Sequence, residues 1–355
     1  MLRHCIMINK RSADFCFAEE ILLQVSRTFA LNINVLSGTL HQSVLLAYLC
    51  LRIADTVEDD PDMPAAKKDI ILKHFAAIFK SPEPDATKTE AFLTLLPESW
   101  AESKDPNHVL CRKTAVVVRL LNQLPLGYKS AIQKVIVEMC GGMAKFVLKQ
   151  EEQLAKGWFT LNSISDLDDY CYYVAGIVGK MLSQLFFIDS RFIDPAAFEE
   201  LKKIEVSFGL ALQVTNIIKD VQEDAERKVC FIPEEICRRH GFSHSWELFD
   251  ANADVEARSA VIRELIQKAW VHLDDAIIYV LRLPRLDRRI RLFCLWPLFM
   301  AAENLRIIGD GKAVFDSEQK VKIPRQTVKK IVKSTSFRFY SNSWIKKEYL
   351  RLRHD

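Results

Sequence analysis

Glycine and proline are scarce in this chain, eleven and twelve in 355 residues. Runs of alternating β-branched and polar residues are few as well. Both shortages exclude a large sheet and leave helices to carry the fold. No CxxC pair occurs, and the nine cysteines at 5, 16, 50, 111, 140, 171, 230, 237 and 294 are scattered and odd in number. That excludes a zinc ribbon and a disulfide framework. Cys50, Cys140, Cys171 and Cys294 lie in apolar segments and read as small core residues in a reducing compartment. A convincing leader is missing too, since the opening MLRHCIMINK has only a short apolar stretch. The longest run without formal charge, Thr28 to Leu51, holds Asn32, Asn34, Ser37, His41 and Gln42, too polar for a bilayer. Residues 292–302 are apolar but too short. There is no repeat of fixed period, and the eight histidines are scattered and receive no role.

What is present is ordinary for a globular protein: 49% apolar and 27% charged residues, ample for a core. We read one all-α domain over 1–355 with a ligand cavity inside it, residues 1–20 being an extension and 320–355 a basic tail. That tail holds eleven Lys or Arg against Glu348 and Asp355, a net +9, so a whole-chain charge of +3 leaves −6 for the rest. Such a tail suits an anionic lipid surface or an anionic cofactor; a solvated basic helix accounts for it equally well. It lacks regular aromatic interleaving despite Phe337, Phe339 and Tyr340, which argues against nucleic acid. The expected protein is cytoplasmic, at most peripheral at a membrane, and a monomer or weak dimer.

Helices are expected over about 39–60, 65–79, 86–100, 129–153, 165–187, 206–224, 254–283 and 286–307. Gly141-Gly142 is expected to interrupt the fourth, and residues 225–233 to form a loop. On the 206–224 helix, Gln213, Asn216, Asp220 and Asp224 fall at i, i+3, i+7 and i+11, one stripe down one face. On the 39–60 helix, Tyr48, Arg52, Asp55 and Asp59 lie at i, i+4, i+7 and i+11, with Glu58 beside them. A single acidic patch is usually plain solvated surface. Two matched stripes in apolar helices read as two metal-binding walls facing one cavity. Oxygen ligands on rigid helices suit Mg²⁺, with Mn²⁺ as a substitute, completed by water and substrate phosphates.

Carboxylate-bound metal beside cations and an apolar cavity suits cleavage of a diphosphate from a greasy group. Arg27, Arg52, Lys219, Arg227 and Lys228 can clamp its oxygens. Phe29, Tyr48, Tyr170, Tyr173 and Phe293 can stabilise a carbocation through their ring faces, although each aromatic taken alone is more often core packing.

These residues carry a resemblance. SRTF at 26–29, the YxxxR and DTVED of 48–59, MAKF at 143–146, YCYYVAGIVG at 170–179, LQVTNIIKDVQED at 212–224 and FIPEE at 231–235 stand in the order of the squalene/phytoene synthase family. The resemblance implies an all-α isoprenoid synthase fold. It implies that Asp55, Glu58, Asp59, Asp220 and Asp224 hold Mg²⁺ and two farnesyl diphosphates. Arg27, Arg52, Gln213 and Asn216 would bind diphosphate or order the site, and Tyr170 would be the catalytic tyrosine. Condensation through presqualene diphosphate, then reduction by NADPH to squalene, is the reaction implied. Members that stop at dehydrosqualene or phytoene share the metal motifs without the reductant, and a member that has lost catalysis is a further alternative.

The segment Lys320-Val321-Lys322-Ile323, with Arg325 after it, is similar to a basic stretch tied to NADPH in the reducing members. Pro324 stands where those members usually carry another Arg. The 224–231 loop lacks the glycines of eukaryotic relatives, and Ile232 replaces their Trp. Their C-terminal membrane helix has no counterpart, which points to a soluble or peripheral enzyme of bacterial type.

Overall fold

The structure, a computed structural model, describes residues 12–316 and 321–354, the Arg27 side chain excepted. In chain order its helices are α1 (Ala13–Val25), α2 (Arg27–Ile33), α3 (Gly38–Asp59), α4 (Ala65–Ile78), α5 (Ala86–Thr94), α6 (Pro106–Arg112), α7 (Thr114–Asn122), α8 (Leu126–Leu154) and α9 (Ile164–Cys171). They continue as α10 (Ile177–Asp189), α11 (Pro195–Lys202), α12 (Glu205–Lys219), α13 (Val221–Glu226), α14 (Glu234–Arg239), α15 (Val255–Arg282), α16 (Arg288–Ile308), α17 (Arg325–Arg338) and α18 (Asn342–His354). Two short strands, β1 (Phe159–Leu161) and β2 (Val229–Pro233), complete the set. The all-α reading holds. Contacts divide the chain into two compact units, residues 1–149 with 181–191 and residues 150–180 with 192–355.

The first unit is built on α3. Leu40, Leu45, Leu46, Leu49 and Ile53 are all fully buried, so the helix is enclosed, with α1, α4, α6 and α7 packed around it. Its start is set by Gly38, at φ +64°, which an L side chain resists. Its end is set by Asp60 in extended conformation, just before Pro61. Beside it, the Phe75 ring meets Phe79 and Phe92 at 5.2 and 5.1 Å.

Helix α8 corrects the expected break at Gly141-Gly142, because it runs through both glycines unbroken. Each glycine costs about 1 kcal/mol against alanine. The same helix buries Ile132, Ile136, Met139, Met143 and Val147, at roughly 1.5–3 kcal/mol per large side chain. Burial wins.

The second unit packs α12 against α15, α16 and the Tyr172–Gly176 segment, a π-helical turn between α9 and α10. Ser163 and Asp166 open α9 with a reciprocal capping box. By length and composition alone, the Ile164–Asp189 run could cross a membrane, at mean hydropathy 1.4. Here its glycines instead meet α12. A Cβ on Gly179 would lie 2.0 Å from the Glu205 carbonyl oxygen, and one on Gly209 would lie 2.3 Å from that of Ala175. Neither backbone can yield without separating the helices. Gly209→Ala is therefore expected to lose roughly 1–3 kcal/mol or more in urea unfolding. Gly141→Ala, where nothing lies within 4 Å, should be neutral or stabilising. Equal behaviour of the two variants would remove the close-packed seam from the account.

The second unit also corrects the expected loop at 225–233. β2 pairs in parallel with β1, Phe159 against Val229 and Thr160 against Cys230, with an irregularity before Leu161. Farther along, buried Arg291 donates to the Leu283 carbonyl at 2.8 Å and to Asn342 Oδ1 at 2.6 Å. Trp296 Nε1 donates to Thr335 Oγ1 at 3.0 Å, and the Tyr349 hydroxyl to Asp274 at 2.7 Å. These bonds fix α17 and α18 onto α15 and α16.

Candidate active site

In the first unit, the predicted stripe on α3 forms as spaced. Tyr48 is half-buried, and its ring lies 5.4 Å from that of Phe29 in a tilted pair. Burial pushes its phenol up, an effect partly offset by the Ser26 hydroxyl and by Arg52. Arg52 donates to the Val25 carbonyl at 3.1 Å and approaches Asp55 at 3.9 Å. Its Nε is buried with no hydrogen-bond partner, so one guanidinium donor is held in reserve. The Arg27 side chain lies outside the described residues.

Burial, then repulsion from Asp59, pushes the Asp55 carboxyl up to about 7. Burial, then Asp59 and Asp55, pushes Glu58 up to about 8, with Lys68 opposing. Asp55 still keeps a third of its side-chain surface open, enough for a hydrated cation to reach it. Buried like charges raise one another unless a cation sits among them, and a hard divalent ion is what such oxygens suit. The donor set fits Mg²⁺. Among the described residues, no three His, Cys, Asp or Glu side chains converge into a ready-made cage. One helical face offers too few ligands for that, and water with diphosphate oxygens would supply the rest.

This arrangement carries a linkage whose sign is fixed. Asp55 and Glu58 bind protons more tightly folded than unfolded, so stability falls as pH rises from the ordinary carboxylate range toward about 8. A cation that displaces those protons restores it. Mg²⁺ should therefore raise Tm more at about pH 8 than at about pH 5, and Asp55→Asn should flatten the difference. An equal rise at both pH values would separate the acids from the metal.

In the second unit the stripe is bent. α12 ends at Lys219 and α13 begins at Val221, with Asp220 between them at φ −99°, ψ 10°. The Asp220 amide still donates to the Asn216 carbonyl at 2.8 Å, and the Asp224 amide to that of Asp220 at 3.0 Å, so the path continues with a change of direction. Gln213 is half-buried and Asn216 exposed. Two expected clamps lie beside the acids. Lys219 Nζ lies 3.1 Å from Asp220 and donates to Asn216 Oδ1 at 3.2 Å; Arg227 pairs with Asp224 at 2.5 Å. Burial still pushes Asp224 up to about 6 against the pull of Arg227. Lys228 is exposed in a left-handed turn at φ 59°, and its carbonyl accepts from the Phe159 amide at 3.0 Å.

The half-buried Tyr170 ring stacks on Phe231 at 4.4 Å and 20°. Tyr173 meets Tyr172 edge-on at 5.3 Å, and Phe293 is buried in α16. Lys322 and Arg325 are exposed before and at the start of α17; Lys320 lies outside the described residues. Sequence reasoning assigned no role to Phe231, nor to Lys180, which donates to the Tyr172 hydroxyl at 2.9 Å. The signal for Lys180 was a lone cation in an apolar helix.

Residues 22–327 match the profile of the squalene/phytoene synthase family. Squalene synthase of Rattus norvegicus is 32% identical over 88% of this chain and 68% of its own length. Squalene synthase 1 of Arabidopsis thaliana is 30% identical over 90% and 70%. This chain thus spans about two thirds of such relatives. A solved complex of TcSQS with the ligand BPH1237 superposes with a TM-score of 0.78 at 26% identity, covering 96% of this chain and 92% of that one.

Proposed function

Since the chain belongs to the squalene/phytoene synthase family, we propose that it is a squalene synthase, a prenyltransferase joining two farnesyl diphosphates head to head through presqualene diphosphate and reducing the product to squalene. The observation that carries this is the cluster of half-buried Asp55 and Glu58 with exposed Asp59, beside Arg52. That arrangement suits a divalent cation and a diphosphate together.

When bound, Mg²⁺ supplies charge to the departing diphosphate, and NADPH supplies hydride. In the first unit Asp55, Glu58 and Asp59 would hold a metal ion, and in the second Asp220 and Asp224 would do so. In the first unit Arg52 and Arg27 would donate to diphosphate oxygens through their guanidinium groups, and in the second Lys219, Arg227 and Lys228 would supply cations for the same kind of ligand. Gln213 and Asn216 would orient a diphosphate in the second unit through their amides. The faces of Phe29, Tyr48, Tyr173 and Phe293 favour a carbocation and exclude water. Tyr170, steadied by Phe231, presents its hydroxyl to the reacting centre. Lys320, Lys322 and Arg325 would receive the 2′-phosphate of NADPH, which suits a basic segment. On this reading the enzyme is cytoplasmic and a monomer or weak dimer.

Product analysis with farnesyl diphosphate and Mg²⁺, with and without NADPH, tests the proposal. Squalene should form only with NADPH. Dehydrosqualene irrespective of NADPH would move the chain to the non-reducing branch, and no turnover even of geranylgeranyl diphosphate would remove the activity. In the Lys322→Ala/Arg325→Ala variant, squalene should fall roughly 10- to 100-fold, the worth of one or two charged hydrogen bonds, while presqualene diphosphate accumulates. Equal loss of both half-reactions would give that segment a structural role instead.

A further inference from the structure

Helices α17 and α18 take no part in the condensation described above. Residues 321–354 carry ten Lys or Arg against Glu348 as the sole acid, whereas the chain before residue 320 carries a net −6. The solvent face of α17 is a regular stripe: Lys330, Lys333 and Phe337 fall at i, i+3 and i+7, with Lys329 beside them, and all four are exposed. The stripe ends in two large rings. Phe337 is 71% exposed and Tyr340 is 53% exposed, at the turn into α18. The opposite side of α17 is anchored, with Thr335 buried against Trp296, so core packing has no use for the outward rings. A cavity of about 280 Å³ opens between α16, α17 and α18, with Lys330, Ser334 and Arg338 in its wall and Trp344 beside them.

We propose that this hairpin docks on an anionic lipid surface, Lys329, Lys330 and Lys333 meeting headgroup phosphates while Phe337 and Tyr340 seat their rings at headgroup depth. Reversible docking of this kind takes two signals, a basic patch and an apolar insertion, and α17 carries both on one face. The rest of the chain carries net charge of the opposite sign and is not drawn to the same surface. The surface argument stands on charge and exposure alone. Only its use, passing an apolar product to a bilayer, rests on the proposed activity, and binding is read without turnover.

The full chain is sedimented with phosphatidylcholine vesicles, with and without phosphatidylglycerol, at low and high salt. Binding should require phosphatidylglycerol and vanish in high salt. Lys329→Gln/Lys330→Gln/Lys333→Gln and Phe337→Ser/Tyr340→Ser should each weaken it at least about 10-fold, with Tm and farnesyl diphosphate consumption in solution unchanged. Lys333→Glu alone serves as a second charge variant. No binding to phosphatidylglycerol vesicles, or equal binding to phosphatidylcholine alone, would overturn the proposal. So would loss in the lysine variant with full binding in the aromatic one, since the face would then be a general polyanion surface.

Discussion

Asp55→Asn and Asp220→Asn are each expected to lower farnesyl diphosphate turnover by roughly 10³-fold or more, the scale of losing a preorganised electrostatic contact, while the fold survives. Asparagine keeps the shape of aspartate and removes only the charge that would bind metal. The two variants should differ in stability, which gives the experiment a second axis. At position 55 the lost charge is one that burial and Asp59 already disfavour, so Tm should hold or rise. At position 220 the lost charge is paired with Lys219 at 3.1 Å, and a pair this open to solvent is worth about 0–1 kcal/mol, so Tm should hold or fall slightly. Normal turnover in either variant would refute the metal assignment for that stripe. Lost turnover with a collapsed melt would show only misfolding.

Tyr170→Phe carries the second large effect. The ring stack on Phe231 survives this change, because only the hydroxyl leaves. A drop in kcat of about 10²- to 10⁴-fold is expected, the usual worth of a positioned proton donor or acceptor. Tyr170→Ala should add the loss of the stack, about 0.5–1.5 kcal/mol, visible in Tm. If Tyr170→Phe works nearly as well as the parent while Tyr170→Ala fails, the ring face is the functional part and the hydroxyl is not.

Most of the helical frame was legible in the sequence, for a reason seen in α3. Its apolar residues recur at helical spacing for 22 residues, and local signals at Ser37-Gly38 and Pro61 mark both ends. The acids of that stripe were legible by the same periodicity. The failures come from tertiary context. β1 and β2 are three and five residues long, too short to show alternation, and each exists only because the other is alongside. Gly141-Gly142 looked like a break because local cost is visible in a sequence and distant burial is not. Asp220 bends the second stripe, where helical spacing alone draws a straight line. The approach of Lys219 to Asp220 and of Arg227 to Asp224 likewise depends on side-chain positions that spacing does not specify.

The short parallel pairing of β1 with β2 has a bearing on how the chain folds. Phe159 meets Val229 only after everything between them has come to rest, because closing so long a loop costs entropy before any contact compensates it. The turn that carries Arg227 and Lys228 hangs directly on that pairing. It is therefore expected to form late, after the helices on either side. In refolding followed by far-UV circular dichroism and diphosphate binding, the helical signal should return first and the binding last.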